Sequence, residues 1–251
     1  MPGNETDTVI FIIKNKDKLK LKYLNKINKI QIPHNNKLTE VNLDNIKDFY
    51  SHDSHKKADI YINNIGISLK QEGGNFSYNR LQRKNLNTFF SHFFDKDEKN
   101  DIIKKIDKKV KQFHKNEITR NFSFTDVMSK ENFYKVIKYL MLEGSPNLGE
   151  TEFAAEMILI SKKKINKVED LTIYTFNEFF DKFSNQFSFA IRRHWYGQKS
   201  NSEHKRAISI LKNKDNEPWC FEESVGTPDG WREDVAKKDR KTVYTLSIEH
   251  K

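Results

Sequence analysis

The apolar positions change period along the chain, and each change marks an element. Residues 8–33, "TVIFIIKNKDKLKLKYLNKINKIQIP", are rich in β-branched and aromatic side chains, broken by "NKDK" and closed by Pro33. That pattern predicts a hairpin or small meander. In residues 37–50, "KLTEVNLDNIKDFY", the apolar Leu38, Val41, Ile46 and Phe49 recur at helical spacing, so a helix is expected. "ADIYIN" and "GISLKQ" read as two strands joined through Asn63 and Asn64, residues that tolerate positive φ in a tight turn.

From Leu86 to about Lys115 the period is helical, first through Phe89, Phe90, Phe93 and Phe94, then through Ile102, Ile103, Ile106 and Val110. The Phe-rich part is expected to be core. "SKENFYKVIKYLMLEG" predicts a helix capped by Ser129 and stopped at Gly144. "TEFAAEMILISKK" predicts helix running into strand, and "TFNEFFDKF" a helix. "FSFAIRRHWYG", "RAISILKN" and "TVYTLSIEH" predict strands, with a long polar loop from about Asn213 to Lys241 before the last. Strands mixed with helices point to an α/β or α+β fold with a central mixed β-sheet flanked by helices.

Composition narrows the class. With 251 residues, 19 Phe and 9 Tyr, the chain can bury a sizeable core although only 36% of it is hydrophobic. The one cysteine, Cys220, excludes an intrachain disulfide framework and a Cys-rich zinc site, which fits a reducing, cytoplasmic setting. "VIFII" is too short to span a membrane, and "MPGNETDT" lacks a basic leader pattern, so no membrane partner is expected. The net charge of +10 favours polyanions such as nucleic acid, although a Lys-, Asn- and Ile-rich composition raises the charge by itself. The eight arginines carry more information, because an Arg fork binds guanine edges and phosphates bidentately. No phosphate-binding glycine loop or nucleophile elbow occurs. His52 and His55 are three apart but have no third ligand at a recognisable spacing.

The hairpin at residues 58–72 holds the candidate chemistry. Alternation puts Ser68, Lys70 and Glu72 on one face and Ile67, Leu69 and Gln71 on the other. A short turn brings Asp59 beside Ser68 and Lys70. A carboxylate, a lysine and an exposed strand end suit metal-assisted phosphodiester cleavage: Asp59 holding Mg²⁺, the Leu69 carbonyl as a second ligand, and Lys70 orienting water and screening phosphate charge. The plain alternative is a solvent-exposed strand pair with an Asp59–Lys70 surface ion pair. Just beyond the hairpin, "GGNFSYNRLQRK" offers Asn75, Asn79 and Gln82 to adenine, Arg80 and Arg83 to guanine, and Ser77, Tyr78 and Lys84 to phosphate. Its alternative is a polar turn leading into the next helix.

These residues resemble a family. "AD", eight residues and "SLK" look like the active-site signature of the PD-(D/E)XK nucleases: an acid, a spacer, then acid-x-Lys. "GGNFSYNR" resembles the Gly- and Asn-rich segment after that lysine in type II restriction endonucleases. "FSFTDVMSKENFYKVIKYL" followed by "ETEFAAEMILISKKK" is similar to segments of the small four-base cutters of the HhaI and MspI type. The resemblance covers about residues 37–251. It implies a nuclease core over 34–125, preceded by a β-rich extension over 1–33 and followed by a DNA-recognition part over 126–251. It further implies Mg²⁺-dependent, sequence-specific cleavage of double-stranded DNA leaving 5′-phosphates, by a monomer or dimer, beside a cognate methyltransferase. Base readers are then expected in the C-terminal strand-loop-strand, at Arg206, Arg232, Arg240 and Lys241. One position departs from the signature: Ser68 stands where the second acid belongs. Glu72 on the same strand face, or Glu40 on the preceding helix, is the expected substitute. The competing readings are a non-catalytic DNA- or RNA-binding protein and a structure-specific junction nuclease.

Overall fold

The computed structural model describes residues 4–49, 56–73, 78–115, 117–195 and 242–250. In chain order it contains α1 (Asn4–Asn15), β1 (Ile30–His34), β2 (Lys37–Glu40), β3 (Ile60–Ile62), β4 (Ile65–Gln71), β5 (Tyr78–Gln82), α2 (Leu86–Phe90), α3 (Lys96–His114) and β6 (Asn121–Ser123). There follow α4 (Lys130–Lys138), the two-residue strands β7 (Gly144–Ser145) and β8 (Gly149–Glu150), β9 (Met157–Ser161), β10 (Leu171–Thr175), α5 (Phe176–Phe183), β11 (Phe187–Trp195) and β12 (Thr242–His250). The protein is a mixed α/β fold with a six-stranded mixed sheet flanked by helices, as the order of elements in the sequence implies.

Two compact units are interleaved in sequence: residues 1–76 with 134–186, and 77–133 with 187–251. They do not follow the successive segments 1–33, 34–125 and 126–251 expected above. The physical reason is pairing: β9 joins β4 as its parallel neighbour, so chain beyond residue 126 completes the sheet that carries the hairpin.

In the first unit the strand order is β10-β9-β4-β3-β1-β2, with β4 and β9 parallel and every other neighbour antiparallel. Helix α1 lies where a hairpin was expected. Glu5 and Asp7 in its first turn and Lys14 in its last complement the helix dipole. Val9 and Ile12 are fully buried in one core with Ile60, Ile62, Ile67, Leu69 and Leu159. Burying each such side chain contributes about 1.5–3 kcal/mol, against the few tenths that β-branched residues cost a helix.

The expected helix at 37–50 is also corrected. Asn35 and Asn36 have φ of 49° and 58° and close a two-residue turn that pairs His34 with Lys37. The chain therefore turns back as β2. The Asn42 side chain then accepts the N–H groups of Asp44 and Asn45, which leaves only a short 3₁₀ turn at Ile46–Asp48.

Helix α4 is capped as expected, with Ser129 Oγ accepting from Asn132 N–H at 3.1 Å, and it continues as a π-turn over Tyr139–Glu143. Helix α5 has a reciprocal cap between Thr175 and Glu178. The Tyr134 ring packs edge-on against Phe176 and Phe180, joining the two helical segments.

The second unit is an antiparallel sheet in the order β5-β12-β11-β6. The two predicted strands at 187 and 242 pair from Phe187 with His250 to Trp195 with Thr242. Phe89 and Phe90 are buried, as expected of core, and Phe124 stacks on Phe133 at 4.0 Å. The predicted strand "RAISILKN" lies outside the described residues.

Candidate active site

The site begins with the turn. Asn63 and Asn64 have φ of 51° and 70°, and the ladder runs Ile62 with Ile65, Tyr61 with Gly66, and Ile60 with Ile67. The expected hairpin therefore forms in the expected register. One step further out, Asp59 N–H donates to Ile67 O at 2.9 Å, so Asp59 comes level with Ser68.

Beyond Asp59 the first strand leaves the ladder. The N–H groups of Lys57 and Ala58 both donate to Phe153 O, at 3.1 and 2.9 Å. The N–H of Leu69, on the side of β4 facing β3, donates instead to the Asp59 carboxylate: Leu69 N–H to Oδ2 is 2.6 Å. Ser68 Oγ donates to the same oxygen at 3.5 Å. Lys70 Nζ donates to Leu69 O at 2.9 Å. Asp59, Ser68, Leu69 and Lys70 are thus gathered at one end of the sheet. Ser68 is only 2% exposed, so it serves as a buried polar partner of Asp59.

The segment "FAAE" closes one side of this hairpin. It forms no helix, because its backbone groups are taken by the hairpin. Besides Phe153 O, Glu156 N–H donates to Gly66 O at 2.7 Å and Ala154 O accepts the Tyr61 hydroxyl at 3.0 Å. Gly66 is required by this approach, since a Cβ there would lie 2.3 Å from Ala154 O. Two patches far apart in sequence, both part of the nuclease resemblance, are therefore one structure.

A group that the sequence did not reveal is electrostatically linked to Asp59 and Lys70. Glu5, in the first turn of α1, has its carboxyl pushed above the ordinary range by burial and then by the charge of Asp59, while Lys70 acts the other way. Its signal was present as an acid opening an amphipathic helix, but the segment reads as strand by propensity. Lys57, 8% exposed, has its ammonium lowered to about 8 by burial and then by repulsion from Lys70, with Asp59 opposing. Two carboxylates and two lysines therefore feel one another at the sheet end.

Among the described residues no three His, Cys, Asp or Glu side chains converge as a metal cage. The pair Glu5 and Asp59 nevertheless fits Mg²⁺, which is commonly held by one or two carboxylates, with water and substrate phosphate filling the other positions. A divalent cation held by both would offset the charge that Asp59 places on Glu5. Leu69 O is already taken by Lys70 Nζ, so it becomes a ligand only if that ammonium turns away.

The expected substitute acids are placed elsewhere. Glu40 lies on β2 rather than a helix, opposite Gln31, with β1 between it and β3. Two strand spacings, about 9.6 Å, separate it laterally from the strand of Asp59. Glu72 follows β4, exposed, with its N–H donating to Ser161 O at 2.8 Å. It stands four residues beyond Ser68, about 13 Å along an extended chain.

Of the expected DNA readers, Tyr78, Asn79, Arg80 and Gln82 belong to β5, which pairs with β12 in the second unit, so the stretch is strand rather than turn. Arg83 donates from Nε and Nη2 to the two carboxylate oxygens of Asp107 at 2.6 and 2.7 Å, so its fork is engaged within the protein. Lys84 stands in the 3₁₀ turn Arg83–Asn85. Asn75, Ser77, Arg206, Arg232, Arg240 and Lys241 lie outside the described residues, as do His52 and His55.

No protein-family model matches the chain, and no curated protein matches it. No helix among the described residues is long and apolar enough to cross a membrane.

Proposed function

We propose that the protein is a Mg²⁺-dependent endonuclease with a PD-(D/E)XK-like core that hydrolyses phosphodiesters of double-stranded DNA. The observation that carries this reading is the placement of Asp59, just before β3, and Lys70, on β4, at one sheet end, both bound to Leu69: its N–H binds Asp59 and its carbonyl binds Lys70. A mere surface ion pair would not need both backbone contacts. In this reading Glu5 supplies the second carboxylate that Ser68 cannot.

Asp59 and Glu5 would hold the ion, which when bound polarises a phosphoryl oxygen and lowers the pKa of a bound water. Asp59 is held in one orientation by the Leu69 N–H, so its second oxygen keeps a fixed direction. Lys70 supplies a positive charge for the phosphate and orients the attacking water. By resemblance, the cut leaves a 5′-phosphate, the sequence read is short, and the setting is restriction of foreign DNA in the cytoplasm beside a cognate methyltransferase. The net charge of +10 supports a polyanionic substrate.

The test is incubation of the purified protein with unmethylated phage DNA, with Mg²⁺ or with EDTA, beside Asp59→Ala. Discrete fragments that require both Mg²⁺ and Asp59, with ligatable 5′-phosphate ends, are expected. Intact DNA that still shifts on a gel overturns the reading in favour of a binding protein. Cleavage confined to branched DNA makes it a structure-specific nuclease.

A further inference from the structure

Helix α3 has two unlike sides. Ile102, Ile106, Val110 and Phe113 are buried, while Lys104, Lys108, Lys111 and Lys115 are exposed on the opposite side. These lysines stand at i, i+4, i+7 and i+11, so they form one stripe about 16 Å long at a rise of about 1.5 Å per residue. Like charges at i, i+4 destabilise a helix, and the stripe carries two such pairs, Lys104 with Lys108 and Lys111 with Lys115. The helix dipole favours lysine in the last turn, which covers Lys111 and Lys115 but not Lys104 and Lys108 in the middle. The acids beside the stripe are engaged: Asp101 pairs with Lys105 at 2.5 Å, and Asp107 accepts from Arg83 Nε and Nη2. Among the described residues no carboxylate pairs with Lys104, Lys108 or Lys115. A hollow of about 770 Å³ along this side has Lys104, Lys105, Lys108 and Lys111 in its wall, with Asp101 and Asp107.

We infer that the exposed side of α3 is a docking surface for the phosphate backbone of duplex DNA. This rests on the nucleic-acid substrate proposed above and adds a contact surface in a helix where the sequence pointed to no DNA reader. Lysine is a point charge that meets phosphates without reading bases, so the contact is independent of sequence. One strand of B-DNA presents a phosphate about every 3.4 Å of axis, so a stripe of this length reaches several. An anionic lipid surface fits less well, because a helix lying on a membrane inserts its apolar side, and that of α3 is already buried in the fold.

The test is fluorescence anisotropy of a labelled DNA duplex of about 30 base pairs, longer than the stripe, in EDTA, across KCl concentrations. Wild type is compared with a stripe variant combining Lys104→Gln, Lys108→Gln and Lys115→Gln. A control variant loses the same charge elsewhere, through Lys16→Gln, Lys18→Gln and Lys20→Gln, all exposed positions. Glutamine forms helix about as well as lysine, so the stripe variant keeps the fold. Mg²⁺-dependent plasmid cleavage is measured in parallel. Each phosphate contact contributes about 0.9 to the slope of log affinity against log salt. The stripe variant is expected to lose about two to three contacts of slope, and on the order of 100-fold in affinity at about 0.1 M KCl, with the control close to wild type. An unchanged slope in the stripe variant, in a protein that cleaves DNA, overturns the docking surface and leaves the nuclease standing. An equal loss in both variants is a diffuse effect of net charge and also overturns it. A lowered slope in the stripe variant alone, in a protein that never cleaves, keeps the surface and removes the nuclease. A wild-type protein that does not bind the duplex overturns both. Sedimentation with phosphatidylserine vesicles that is lost in the stripe variant, with DNA binding unchanged, assigns the surface to lipid and overturns the inference.

Discussion

Asp59 and Leu69 face each other across the hairpin where its ladder ends, and the 2.6 Å bond from the Leu69 N–H to Asp59 Oδ2 replaces the backbone bond that a longer strand would make. The carboxylate thus has a structural task and a proposed chemical one, and substitutions separate them. Asp59→Asn keeps an oxygen to accept the Leu69 N–H, whereas Asp59→Ala leaves that donor unsatisfied at a cost of about 1–3 kcal/mol. Thermal denaturation should show Asp59→Ala clearly less stable than Asp59→Asn. Both should lose at least about 100-fold in cleavage rate, since the charge that holds the metal is gone from each. Wild-type cleavage by Asp59→Asn would remove Asp59 from the chemistry.

The contact between the hairpin and "FAAE" sets a second expectation. In Gly66→Ala the added methyl would meet the Ala154 carbonyl, a backbone atom that cannot rotate away. Forcing the two segments apart should cost about 3 kcal/mol or more. The melting temperature reports this directly. A melting point within a degree of wild type would mean that the 153–156 segment is not held against the hairpin.

How far these contacts were readable in the sequence follows from the range of the forces. The β3–β4 hairpin was readable because its turn residues, Asn63 and Asn64, and its alternation are local. The cap at Ser129 is local as well. Helix α1 was not readable, because its β-branched run favours strand until Val9 and Ile12 find the sheet. Missing the helix hid Glu5. Asn35 and Asn36 carry the same turn signal as Asn63 and Asn64, but a helical spacing of four apolar residues outweighed it. The interleaving of the two units was invisible, because the parallel pairing of β4 with β9 joins residues about ninety positions apart.

Arg83 illustrates how a side chain that looks available in sequence is already engaged. Its fork meets both oxygens of Asp107 and each side chain is 25% exposed, so the pair is partly shielded from solvent. Arg83→Met should cost about 1 kcal/mol, the size of a favourable bidentate pair that water still partly screens. It should leave the salt dependence of DNA binding as in wild type. Loss of a full contact's worth of slope in Arg83→Met would return Arg83 to the interface.

Glu5 gives the expectation that bears most directly on the metal. Its carboxyl lies above its ordinary value of 4.5, first through burial and second through Asp59. A carboxyl raised in the folded state binds its proton more tightly there than in the unfolded chain, so ionising it costs stability. Stability should therefore fall as pH rises from about 4.5 through the raised value, and stay lowered above it. Glu5→Gln removes the ionisation, so its melting temperature should gain on wild type between pH 4 and pH 8. Mg²⁺ acts on the same cost from the other side, because a ligand that binds only the folded state stabilises it by mass action. At pH 8, millimolar MgCl₂ should raise the melting temperature of wild type and leave Glu5→Gln and Asp59→Asn nearly unmoved. An equal rise in all three would place the ion elsewhere. A pH-dependent gain for Glu5→Gln with no response of wild type to Mg²⁺ would leave the two carboxylates a strained pair without a metal to relieve them.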